Sequence, residues 1–188
     1  MVTSEQTPSL WQTATHLNSD MKQLSDNGYS IKDIAYTGMM VAVLEAVKQA
    51  LAFIPNVELV SFFIVIFTIY FGWKAVPAVY AFVFIEFFIW GFGMWSIYYL
   101  YIWMIPVLIT MIFRKRKNIF IFSAICGTFG LAFGGLCSIT NLFVTGPHAA
   151  FGWWLAGIPF DVVHGIGNFA LCLTLYIPIR KVFDKFLK

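Results

Sequence analysis

Asn118–Val144 reads NIFIFSAICGTFGLAFGGLCSITNLFV, a stretch without one charged side chain. A helix needs about 20 apolar residues to cross roughly 30 Å of bilayer hydrocarbon, so this one is long enough to do so with some tilt. Directly before it stands Arg114-Lys115-Arg116-Lys117, which no apolar segment can include. Working outward from this boundary, five more apolar segments appear at about Ile31–Phe53, Val57–Phe71, Ala75–Trp90, Trp95–Phe113 and Pro159–Ile179. Ile54-Pro55-Asn56, Gly72 and Gly91-Phe92-Gly93-Met94 punctuate them. The segments predict an all-α membrane protein with six transmembrane helices, the second and third short enough to borrow residues from their flanks.

The composition agrees. Hydrophobic residues make up 60% of 188 and charged residues 11%, against about 45–50% and about 25% in soluble domains. A secreted disulfide scaffold, a disordered tail and a cytosolic enzyme are all excluded on that balance. Cys126, Cys137 and Cys172 sit in apolar runs without CxxC spacing, and read as packing residues. The net charge of +3 says nothing of nucleic acid, because a membrane protein sorts its cations by side. With six crossings, all of the 12 Lys and Arg except Lys48 fall on the side of the termini. The positive-inside rule then predicts that both termini are cytoplasmic. The connections near 54–58, 91–94 and 145–158 are expected to face outward.

Residues 1–30 differ from the rest. They are polar, lack the pattern of a signal peptide, and space Leu10, Leu17, Met21 and Leu24 as an amphipathic surface helix would. The chain thus divides into a polar extension, 1–30, and a transmembrane ligand-binding domain, 31–188.

Glu86 and Asp161 lie in apolar spans, where a charged side chain costs about 2.5–3.5 kcal/mol at mid-bilayer. Such residues are functional candidates by default. Asp161, His164 and Asn168 share one helical face; they can serve a ligand, or cap a helix and bond to neighbouring spans. Glu45 and Lys48, three apart, can neutralise each other. No HExxH, GxSxG or GxxxxGK[ST] occurs, and no metal or cofactor set stands out. Gly38, Ala42, Ala46 and Ala50 recur every four residues, a stripe that permits close helix approach. Its partner is either this chain's own helices or another membrane protein. Gly130 and Gly134 form a weaker version that reads as internal packing. Trp90, Phe92, Trp95, Tyr98, Tyr99 and Tyr101 crowd one outer turn, as an interfacial belt does. The apolar connection Thr145–Gly157 carries His148, Trp153 and Trp154, which belong either to that belt or to a lid over a ring-bearing ligand.

Over about residues 31–185 the chain resembles the substrate-binding S components of energy-coupling factor (ECF) transporters, the bacterial vitamin importers. The likeness rests on Ala42-x-x-x-Ala46, on Phe53-Ile-Pro-Asn-Val-Glu58, on the Gly72 turn, and on Gly157-Ile-Pro-Phe-Asp-Val-Val-His-Gly-Ile-Gly-Asn168, in that order on six spans. The resemblance implies a multi-pass protein of the bacterial cell membrane. Such a protein is not an enzyme: it binds a vitamin from outside and docks on a membrane coupling subunit carrying two cytoplasmic ATPases. It implies a gating role for Asn56 and Glu58, a pocket-lining role for Asp161, His164 and Asn168, and a partner-facing role for Ala42 and Ala46. With Glu86, Trp95, His148, Trp153 and Trp154, these make the expected substrate site. A corrinoid, a flavin-like ring or another heterocyclic vitamin suits such aromatic walls; cobalamin or a related compound is the favourite.

Overall fold

The computed structural model describes residues 29–187. They form seven α-helices: α1 (Ile31–Ala50), α2 (Val60–Phe71), α3 (Val76–Trp90), α4 (Met94–Ile102), α5 (Met104–Phe113), α6 (Ile119–Thr145) and α7 (Pro147–Phe186). No strand occurs among the described residues. Four helical stretches are long and apolar enough to cross a membrane: Val60–Trp90, which includes the turn Gly72–Ala75, Met94–Phe113, Ile119–Thr145 and Pro147–Phe186. The expected surface helix of residues 1–30 lies almost wholly outside the described residues.

Local chemistry sets the ends of α1. Ser30 and Asp33 form a reciprocal capping box, Ser30 N donating to Asp33 Oδ2 at 2.7 Å and Asp33 N to Ser30 Oγ at 3.3 Å. The same carboxylate takes the Lys74 ammonium at 2.8 Å, tying the start of α1 to the turn between α2 and α3. At its other end α1 places Lys48 within 4.0 Å of Glu86 on α3. α1 and α3 therefore run the same way.

Most of α2 is buried, including Val60, Phe62, Ile64, Val65, Ile66 and Phe67. Its near-continuous apolar run matches its position in the middle of the bundle. Asn168 reaches Glu58 just before α2, and Tyr70 near its end bonds to Arg180 and Asp184, so α2 runs alongside α7. Between α2 and α3 the chain reverses through a 3-10 turn, Gly72–Ala75. Gly72 has φ +60, a left-handed conformation that costs other residues about 1–2 kcal/mol. An added Cβ there would also stand 3.0 Å from the Arg114 guanidinium carbon. That guanidinium caps α2, donating from Nε to the Ile69 carbonyl at 2.9 Å and from Nη2 to the Tyr70 carbonyl at 3.0 Å. Gly72→Ala should therefore destabilise the detergent-solubilised protein by about 1–3 kcal/mol. Thermal unfolding followed by circular dichroism measures this, and an unchanged midpoint contradicts the tight turn.

The sequence predicts one helix over Trp95–Phe113, and the structure interrupts it at Trp103. Pro106 is the cause: it has no N–H to offer the carbonyl of Ile102, and its ring crowds that group. A larger correction concerns 145–158. This stretch is expected to be a long connection, yet only Gly146, at φ +83, is turn, and Pro147 begins a 40-residue helix. Gly152, Gly157 and Pro159 all lie inside it. Against apolar surroundings every unpaired backbone group is expensive, so local helix breakers lose to the demand for internal hydrogen bonds. At 1.5 Å per residue α7 is about 60 Å long.

α6 and α7 form the dominant hairpin. Gly127, Gly130, Gly134 and Gly165 lie at the contact, and a Cβ on Gly130 would come within 2.8 Å of the α7 backbone. Gly130 and Gly134 are thus internal packing residues, as expected. The stripe on α1 is different: Gly38, Ala42, Ala46 and Ala50 are all exposed, and an added Cβ on Gly38 meets nothing within 4 Å. Among the described residues, none of the chain's own helices covers this stripe.

The contacts also sort the charges. Lys32, Lys74, Arg114–Lys117, Arg180, Lys181 and Lys185 gather at one end of the bundle, tied there through Asp33, Tyr70 and Asp184. Lys48 stands near the opposite end.

Candidate functional site

At that opposite end lies a cavity of about 450 Å³. Three groups build its wall. The connection 51–58 supplies Leu51, Ala52, Ile54, Pro55, Asn56, Val57 and Glu58; α3, α4 and the Trp103 break supply Trp90, Trp95, Tyr99 and Trp103; Lys48, Phe133 and His164 complete it. Trp95 meets Tyr99 edge-on at 5.1 Å, and Tyr99 meets Trp103 in the same way at 5.4 Å. Edge-to-face aromatic contacts of this kind hold each ring in place. They leave a rigid aromatic wall against which a planar ligand can stack.

The 51–59 connection is pinned by one carboxylate. Glu58 accepts from Ser61 N at 2.8 Å, from Ser61 Oγ, and from Asn168 Nδ2 at 2.7 Å, with His164 Nε2 at 3.4 Å. Its lone pairs are thereby taken up by the protein, so Glu58 holds the cavity's rim to α7. Asn56, at φ +58, makes the left-handed bend in the connection, a conformation that Asn accepts more readily than most residues. His164 packs on the Phe133 ring at 5.0 Å, which fixes its plane at the cavity wall.

Lys48 is the cavity's cation. Its ammonium donates to Tyr99 Oη at 3.3 Å and lies 4.0 Å from Glu86 Oε2, while its side chain stays 28% exposed. Glu86 is only 1% exposed, and also receives Gln49 Nε2 at 3.5 Å. The proposed Glu45–Lys48 neutralisation is not what the structure shows. Lys48 turns across to the buried Glu86 carboxylate on α3, and both Glu45 carboxylate oxygens are left buried without a hydrogen-bond partner among the described residues.

Of the expected substrate residues, Asn56, Glu58, Trp95 and His164 therefore line the cavity. Glu86 and Asn168 stand behind it, supporting Lys48 and Glu58 respectively. Asp161 faces α6 instead: its Oδ1 accepts from Gly134 N at 2.9 Å. Asp161→Asn keeps an acceptor for that N–H and should leave ligand affinity within about twofold of the parent, a change under about 0.5 kcal/mol; titration of the purified variant checks this. His148, Trp153 and Trp154 lie on the first turns of α7, exposed and away from the cavity. A lid built from 145–157 has no loop to move, because that segment is helix. Tyr101 also turns away, donating to the Leu136 carbonyl at 2.7 Å.

Lys48, Trp90, Tyr99, Trp103 and Phe133 were not among the expected site residues. One signal for Lys48 was available: it is the single cation that does not sort to the basic end. Among the described residues no group of three or more His, Cys, Asp and Glu is placed to hold a metal ion. What the geometry can do is enclose a small ring system against aromatic edges and present it with one ammonium and one imidazole. No family model, curated protein or solved structure matches this chain.

Proposed function

We propose that this chain is the ligand-capture subunit of an ECF-type ATP-driven importer, taking a vitamin-like heterocycle from outside a bacterial cell. In this reading it crosses the membrane six times. α2 and α3 each count as a crossing because the chain reverses at Gly72; α2, about 18 Å long at 1.5 Å per residue, needs its flanks to reach both surfaces. Both termini then lie in the cytoplasm with the cations.

The observation that carries the reading is a blind cavity at the cation-poor end. Toward the basic end the bundle is filled by the buried side chains of Ile64, Phe67, Phe122 and Cys126, so the cavity receives a ligand without offering it a path across. Capture from one side suits an importer in which a coupling subunit with two ATPases completes transport. The exposed small-residue stripe on α1 offers that subunit a close-packing surface.

A cavity of 450 Å³ falls in the usual range for small-molecule sites. It encloses a one- or two-ring heterocycle completely and a corrinoid only in part. Quenching of the cavity tryptophans tests the proposal. Purified protein titrated with a panel of vitamins, corrinoids included, should give one saturable signal, and uptake into vesicles should require the added coupling module and ATP. A panel with no saturable member sinks the proposal, as does uptake by vesicles holding this chain alone.

A further inference from the structure

A second cavity, of about 460 Å³, opens on the outer face of the bundle between α5 and α6. Ile109 and Phe113 form one wall, and Ala124, Thr128 and Ala132 form the floor. The floor residues follow at intervals of four and are exposed, so they hollow out a face that elsewhere carries Phe120, Leu131 and Ile139. Apart from the Thr128 hydroxyl, the named lining is apolar. Between Ile121 and Leu136, which mark its length, the groove runs about 22 Å along the helix axis. That exceeds the depth of one leaflet's hydrocarbon, about half of 30 Å.

The groove's end is what selects an occupant. Phe113 and Ile121 stand there, and the chain between them is Arg114-Lys115-Arg116-Lys117-Asn118-Ile119-Phe120. Arg114 is engaged with the α2 carbonyls. Lys115, Arg116 and Lys117 are exposed, and among the described residues none of them makes an ion pair. An apolar slot ending at three cations asks for one molecule with a long hydrocarbon chain and a negative head. We propose that this groove holds one anionic phospholipid, its chain along Ala124, Thr128 and Ala132 and its phosphate at Lys115–Lys117. Basic residues next to the membrane attract anionic headgroups, and basic pockets between transmembrane helices bind them. A zwitterionic lipid fills the slot equally well but gains little from the cations. The inference requires only that the chain sits in a bilayer, not that it serves an importer.

Native mass spectrometry of the full chain, released from micelles containing equal phosphatidylglycerol and phosphatidylcholine, provides the test. One phosphatidylglycerol should stay bound per chain while phosphatidylcholine is lost. The triple variant K115Q/R116Q/K117Q should lower that retention by about a hundredfold. Filling the slot with A124F/A132F should lower it by about tenfold or more with the charges unchanged. Equal retention of both lipids by the parent protein overturns the proposal and needs no variant. Full retention in A124F/A132F, or displacement of the lipid by glycerol phosphate, reduces the site to surface charge and also overturns it.

Discussion

Replacing Lys48 by Met should weaken ligand binding by about a hundredfold while leaving the helical fold intact. Met keeps most of the apolar stem and removes the ammonium, the only cation at this end of the bundle among the described residues. That ammonium spends one hydrogen bond on Tyr99 and stays partly exposed at the cavity wall, so it has donors left for a carbonyl, carboxylate or phosphate on the ligand. A hydrogen bond to a charged group contributes about 1.5–3 kcal/mol, a factor of roughly ten to a hundred and fifty in affinity. Fluorescence titration of the variant reads the effect, and unchanged affinity removes Lys48 from the site. Loss of binding has a second physical explanation, because the variant strands the Glu86 carboxylate without its counter-charge. The double variant K48M/E86Q separates the two. It restores binding if Lys48 only balances Glu86, and stays weak if the ammonium meets the ligand.

The second large effect is expected on α1. Ala42→Leu and Ala46→Leu should each reduce assembly with the coupling subunit by about ten- to a hundredfold and leave ligand affinity unchanged. Inserting bulk into a close helix contact costs about 1–3 kcal/mol, and helices in lipid have little besides packing and polar contacts to hold them together. Both alanines are exposed and lie on the face opposite Met40 and Leu44, the buried residues of α1. A leucine there displaces no side chain among the described residues and is compatible with lipid. Co-purification of tagged coupling subunit with each variant measures assembly, alongside the same titration. If ligand affinity falls in parallel with assembly, the stripe acts within this chain and the docking role fails.

The contrast between Glu58 and Asp161 shows why only part of the site was legible. Both are carboxylates beside apolar runs, and nothing local distinguishes them. Glu58 meets Asn168 from 110 positions away and becomes the anchor of the cavity's rim. Asp161, one face over on the same helix as Asn168, turns to the backbone of α6. The spacing that puts Asp161, His164 and Asn168 on one face is correct as helical geometry, yet a face about three residues wide is shared by two neighbours. His164 and Asn168 go to the 51–59 connection and Asp161 to Gly134. Trp95 and Trp154 differ similarly: interfacial aromatics look alike in a sequence, and only the placement of α4 against α3 and α6, with Trp95 on the Phe87 ring at 5.5 Å, brings Trp95 to the cavity.

Local composition determined the apolar helices, the separation of Lys48 from the other cations, the glycine turn at Gly72 and the small-residue seams, because each depends on residues a few positions apart and on the cost of exposing backbone or charge to an apolar medium. Tertiary structure decided that the α1 stripe faces outward, that Lys48 answers Glu86 rather than Glu45, and which aromatics enclose the cavity. Those outcomes turn on contacts between distant segments, where the partner of a side chain is whatever the packed bundle sets against it.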